Sequence, residues 1–166
     1  MTDIVIIAHN IRSTHNVGAF FRTADGFGIQ HLYLTGYTPY PTLPVDSRLP
    51  HLSQKLTQQI HKTALGAEET LAFSYSEDPT EIIAQLKQEG FTILALEQTP
   101  EAILLPSYKV PQEDKIALVL GEEVEGIPAP LLALVDQAIE IPMQGRKESF
   151  NVSVACGIAL YALRFQ

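Results

Sequence analysis

Short β-rich runs alternate with helix-patterned stretches along almost the whole chain, and several of the runs carry hardly a polar residue. The runs fall at 4–7, 31–34, 71–73, 92–96, 116–120 and 138–141; helical spacing recurs near 17–28, 51–62, 79–89, 128–135 and 151–165. A strand that is apolar on both faces needs cover on both, and the usual source is a helix crossing over to a parallel neighbour. The pattern therefore predicts a three-layer α/β/α domain with a mostly parallel sheet. The chain has 166 residues, 46% of them hydrophobic, and no repeat or linker interrupts it, so 1–166 reads as a single domain with one real core.

Other classes fall away on composition. No apolar stretch approaches the roughly 18 residues of a membrane span. The first residues have neither the basic flank nor the cleavage site of a signal peptide, so a soluble, cytoplasmic protein with no membrane partner is expected. Cys156 is the single cysteine, which rules out an internal disulfide and a cysteine metal cluster. A net charge of −8 argues at first against a polyanionic partner. The charge is uneven, however. Residues 1–66 hold five Lys/Arg against three acids, 67–140 hold three against fifteen, and 141–166 hold three against one; all five histidines lie within the first 61 positions. A neutral-to-basic face assembled from the two ends leaves room for RNA.

Ligands of open α/β sheets sit beyond the carboxyl ends of the strands, so the segments leaving the strands are where chemistry is sought. Three stand out. After the first strand, Asn16 is placed to cap a helix whose Val17, Phe20, Phe21, Ala24 and Phe27 face the core. Arg22 lies at the margin of that stripe, Gly18 clears space on the same face, and an Arg22–Asp25 pair is the ordinary alternative. After the most apolar strand, Gly121 and Gly126 enclose Glu122, Glu123 and Glu125; the carboxylates suit a cation or a hydroxyl, or are simply solvated. Between the last strand and last helix, Ser149 and Asn151 are both helix-start residues. The last helix mixes small residues (Ala155, Gly157, Ala159, Ala162) with large apolar ones, which reads as core packing or as the seam of a homodimer. The proline-rich loop 37–44 is either a functional loop or a rigid cover.

Together the three segments resemble the signature motifs of the SpoU or TrmH class within the SPOUT superfamily of RNA methyltransferases. The order agrees: Asn16-x-Gly18 with Arg22 six residues after the asparagine, then Gly121-x-Glu123-x-x-Gly126, then Ile141-Pro142-Met143 followed by Ser149-x-Asn151-Val152-Ser153. The segment 62–68 is similar to the family's too, so the likeness spans essentially the whole chain.

The resemblance implies a trefoil knot over about 90–166, an exception to the rule against threaded chains. It implies S-adenosyl-L-methionine as methyl donor, with no metal, held by Leu96, Gly121, Ile141, Met143, Ser149 and Phe150, the last standing where the family usually has leucine. Carried across position by position, the catalytic set is Arg22, Asn16, Glu123 and Asn151, and the product is a ribose 2′-O-methyl group. Family proposals make the motif arginine the proton acceptor. A guanidinium stays protonated to about pH 12, so phosphate pairing and stabilisation of the developing alkoxide are the more conservative role. Arg12, Lys62, Arg146 and Lys147 are expected RNA contacts. With no further RNA-binding domain in view, a compact structured RNA is expected as partner, tRNA over rRNA, recognised by a homodimer. The rival readings are a knotted RNA-binding dimer without catalysis and a base methyltransferase. A flavodoxin-like domain lacks the acidic pair expected after the first strand, and a Rossmann reading lacks the third glycine, replaced by His31.

Overall fold

In the computed structural model, which describes residues 2–110 and 114–166, the alternation resolves into one seven-stranded sheet. The strands are β1 (Asp3–His9), β2 (His31–Thr35), β3 (Phe73–Ser76), β4 (Phe91–Leu96), β5 (Ile103–Leu104), β6 (Lys115–Leu120) and β7 (Gln137–Glu140). Their order is β3-β2-β1-β6-β4-β7-β5, and every described pairing is parallel. The helices are α1 (Thr14–Gly26), α2 (Pro50–Ala64), α3 (Ala67–Thr70), α4 (Pro79–Gln88), α5 (Ala129–Leu132) and α6 (Val152–Phe165).

The period of two divides the strands between two cores. In β1, Ile4, Ile6 and Ala8 face one layer, where α1, α2 and α6 contribute Phe20, Phe21, Ile60 and Leu160; Val5 and Ile7 face the other, against Ile83 and Leu86 of α4 and Leu131 of α5. Every residue of Ile4–Ala8 is at most 3% exposed, which is why these strands read as continuous apolar runs. Cys156 is fully buried, and burial pushes its thiol up to about 12.

Local chemistry explains the boundaries. Ser13 caps α1 by accepting the Asn16 amide at 3.2 Å, so the helix starts at Thr14, earlier than the periodicity suggested. Asp78 caps α4 through the Thr80 amide, and Pro79 and Pro50 sit where a missing amide costs nothing. Leu65 and Gly66, both left-handed, turn α2 into α3, and Glu68 braces the turn by accepting the Gly66 amide at 3.0 Å beside His61. That short helix displaces the expected strand from 71–73 to Phe73–Ser76. The helix expected over 128–135 contracts to Ala129–Leu132, and the two-residue β5 carries too few residues for its period to be seen. No helix of the described residues is long and apolar enough to cross a membrane.

Because β1, β6, β4 and β7 are adjacent and parallel, the loops that leave them gather at one end of the sheet. Gly18 does not open space beside Arg22. It is buried where α1 crosses α2, and a Cβ there would run into the Thr63 hydroxyl and the Ile60 carbonyl. Gly18→Ala is therefore expected to destabilise the protein by about 1–3 kcal/mol through overpacking, read as a lowered urea midpoint. An unchanged midpoint would mean that the helices separate without cost.

Candidate functional site

Three of those segments meet at one carboxylate. Glu123 Oε1 accepts from Asn16 Nδ2 at 2.5 Å and from Asn151 Nδ2 at 3.1 Å, and Asn151 Nδ2 also reaches Asn16 Oδ1 at 3.3 Å. Asn16 sits in the first turn of α1; Asn151 caps α6, its Oδ1 accepting the Ser153 amide at 3.0 Å and the Ser153 hydroxyl at 2.6 Å. Neither helix has an acidic residue in its own first turn, so Glu123 supplies the negative charge that both helix N-termini favour. Of the two helix-start candidates before α6, Asn151 is the cap and Ser149 is left in the loop. Asn16 is not the cap of α1; Ser13 does that work and leaves the Asn16 amide side chain free for Glu123.

Beside this junction lies a cavity of about 300 Å³, at the small end of the ~300–1,000 Å³ usual for ligand sites. Leu96, Gly121, Ile141, Met143, Ser149 and Phe150 all line it, so the six positions singled out by resemblance converge although they come from three separate segments. Its charge is one-sided. Glu97, Glu122, Glu123, Glu125, Glu140 and Glu148 line it, and no Lys, Arg or His does among the described residues. Such a wall suits a ligand carrying positive charge and hydroxyl groups. Gly121 is buried with its Cα against Gly126 and Ile127; a Cβ would stand 2.6 Å from Ile127 Cγ1 and 2.7 Å from the Gly126 carbonyl carbon, so glycine is what lets the loop fold back.

Two lining residues were missed by the motif reading. Glu97, the first residue after β4, accepts the Ile127 amide at 2.9 Å and the Gln98 amide at 3.0 Å, pinning the acidic loop to the end of β4. Gln98 donates to the Glu148 carbonyl at 2.7 Å and ties that end to the loop before α6. The signal available in the sequence was position: both directly follow the apolar run 92–96.

The cations are placed differently. Arg22 is exposed on α1, and it makes no hydrogen bond or ion pair among the described residues; the pair with Asp25 does not form. Six residues separate it from Asn16, about 9 Å along the helix axis and a third of a turn out of phase, so it does not join the junction within one chain. Arg12 reaches back to Glu122 at 3.0 Å. Lys62 is exposed on α2, and Arg146 and Lys147 are exposed in the loop before α6. The apolar residues that α6 exposes are Val154, Tyr161 and Phe165, at 49%, 60% and 65%, whereas Ala159 is wholly buried in the core. Ala162 is buried as well, and Ala155 and Gly157 are half-buried, so the small residues divide between interior and surface.

Residues 3–161 match the profile of the SpoU rRNA Methylase family, and the chain belongs to that family. It is similar to a tRNA (guanosine(18)-2'-O)-methyltransferase of Aquifex aeolicus, 28% identical over 164 residues, which cover 99% of this chain and 70% of that protein. It is also similar to the 23S rRNA (guanosine-2'-O-)-methyltransferase RlmB of Coxiella burnetii, 29% identical over 163 residues, 98% of this chain and 58% of that one. Among solved structures, the AdoMet-bound rRNA methyltransferase of Sinorhizobium meliloti superposes with a TM-score of 0.79 at 22% identity, over 98% of this chain and 56% of that chain.

The division of labour between Ser13 and Asn16 has a measurable consequence. Ser13→Ala should cost about 1 kcal/mol in denaturant unfolding, and Asn16→Ala less. The reverse order would restore Asn16 as the cap.

Proposed function

We propose that this member of the SpoU rRNA Methylase family methylates RNA, transferring the methyl group of S-adenosyl-L-methionine to a ribose 2′-hydroxyl. The observation that carries the reading is the convergence of Asn16, Glu123 and Asn151 at the mouth of a carboxylate-lined cavity. The methyl donor supplies an activated methyl group on a sulfonium, a cation for which an acidic wall is apt. In the transfer the 2′-oxygen forms a bond to the methyl carbon, the sulfur–methyl bond breaks, and the hydroxyl proton leaves to water or phosphate. Leu96, Ile141, Met143 and Phe150 offer the apolar surface for the adenine, and Gly121 and Ser149 offer main-chain groups. Asn16 presents the N–H left over from its bond to Glu123 to the ribose, and Asn151, engaged with Glu123, Asn16 and Ser153, holds that group in a fixed orientation.

The catalytic role of Arg22 belongs to a homodimer. The methyl of Thr23, next to Arg22 in α1, lies 3.7 Å from where a Cβ on Gly157 of α6 would stand, so α1 packs beside α6 at this point. A second copy seated on Val154, Tyr161 and Phe165 brings Arg22 to an interface, where it can pair with the target phosphate and stabilise the developing alkoxide. We assign the segment of about 90–166 to a trefoil knot. The placement of β4 between β6 and β7, both later in the chain, and the tie from Gln98 to Glu148 support that threading. The partner is a structured RNA, tRNA favoured over rRNA, and the whole of 1–166 acts as one domain.

Radiolabelled adenosylmethionine with total tRNA and with ribosomal RNA tests the reaction. Label is expected in a 2′-O-methylnucleoside, with a loss of about 100-fold or more in Arg22→Ala; label in a methylated base would contradict the assignment. Tyr161→Glu is expected to give a monomer in sedimentation, and an unchanged dimer mass would move the seam off α6.

A further inference from the structure

On the far side of Arg12 from the cofactor cavity lies a second concavity, an open groove of about 650 Å³ at the ends of β1, β2 and β3. Its wall is a three-layer stack. The Arg48 guanidinium lies 3.5 Å from the centroid of Tyr40, and Tyr75 stacks on Tyr40 at 3.9 Å with planes 18° apart. Two groups that close to one ring centre occupy its opposite faces, so Tyr40 is sealed. Arg48 is equally committed. It pairs with Asp46 and donates to the Tyr40 and Pro41 carbonyls at 2.9 and 3.0 Å, which makes the proline-rich loop a rigid wall. Tyr75 is fixed as well, its hydroxyl donating to the Gly36 carbonyl at 2.8 Å.

The open aromatic surface is Tyr37, half exposed at 50%. Its position is set with care: its amide donates to Asn10 Oδ1 at 3.2 Å, and Asn10 and Gly36 beside it both have left-handed backbones, φ 57 and 66. Asn10 is one of two described non-glycine residues in that region of conformational space, so the chain accepts strain at this spot. Arg12 stands 5.8 Å from the Tyr37 ring centre, and its side chain is 76% exposed; His15 is exposed beside it. The lining holds two arginines and a histidine and no carboxylate among the described residues, in a protein of net charge −8.

The groove is also continuous with the proposed reaction site. A small intervening pocket shares Arg12 and Ser13 with the groove and Glu122, Glu123 and Val124 with the cofactor cavity, and Asn16 lines it. We infer that this groove binds an unpaired nucleotide of the RNA next to the one whose ribose is methylated, its base stacked on Tyr37 and its phosphate between Arg12 and His15. The inference rests on the proposed RNA substrate and adds the form in which that substrate is recognised: a single-stranded loop or bulge. A paired nucleotide keeps its base faces inside the helical stack and has none to offer a tyrosine.

The test is direct binding, kept separate from methyl transfer. An RNA stem-loop and the same stem closed as a blunt duplex are titrated by fluorescence anisotropy against wild type, Tyr37→Ala and Tyr37→Phe, with adenosylmethionine affinity and thermal melting recorded for each. Wild type is expected to prefer the stem-loop. Tyr37→Ala should weaken that binding about tenfold while its cofactor affinity and melting hold, and Tyr37→Phe, which keeps the ring, should restore it. Equal binding of stem-loop and duplex by wild type, or a Tyr37→Ala variant within twofold of wild type on the stem-loop, would overturn the inference. Loop-selective binding that depends on Tyr37, from a protein that transfers no methyl group, would uphold the groove and defeat the reaction assigned above.

Discussion

One carboxylate holds the functional end of this molecule together. Glu123 takes hydrogen bonds from Asn16 in the first turn of α1 and Asn151 at the cap of α6, two residues 135 positions apart. Each helix start is otherwise without an acidic neighbour in its own first turn, so the glutamate meets two positive helix ends with one negative charge. An amide-to-carboxylate bond of this kind exceeds a neutral one in strength, yet these side chains are exposed, and the junction adds little to global stability. What it fixes is relative position. The loop after β6 cannot shift without moving both helix starts, and the same loop forms the floor of the carboxylate-lined cavity.

Charge is sorted around that junction. The cavity on one side carries six carboxylates and no basic residue, while the groove on the other carries two arginines and a histidine and no carboxylate, among the described residues. Arg12 stands between them, paired with Glu122. A net charge of −8 is thus concentrated on one side of the junction and nearly balanced on the other. A cationic methyl donor and an anionic RNA ask for that separation within a short span of chain, since each would be repelled by the surface that suits the other.

Much of the fold was legible because the strands are buried on both faces: Ile4–Ala8 and 116–120 announce a parallel sheet by composition alone. Elements too short for a period were not, as with β5 and α3. Within the site, the family resemblance singled out Asn16, Glu123 and Asn151, but the cap role read from the residues for Asn16 was incorrect. A cap residue and a first-turn residue look alike in sequence, and only the Ser13 Oγ contact separates them. Small residues in α6 read either as core packing or as a dimer seam; Ala159 faces the core, and the large apolar residues that α6 exposes are Val154, Tyr161 and Phe165. Arg22 shows the limit of a motif. Its register was plain, yet its place outside the junction follows from helix geometry that a linear pattern does not state. Glu97 and the Arg48–Tyr40–Tyr75 stack belong to no motif, because their roles arise from contacts between segments distant in sequence.

The most direct test of the account is the single-turnover rate of methyl transfer by Glu123→Ala at saturating adenosylmethionine, with circular dichroism to follow the fold. The junction predicts a folded protein whose transfer rate falls by about 100-fold or more, because both asparagines lose the partner that orients them. A rate within a few-fold of wild type would contradict it and would place the reaction elsewhere on the molecule.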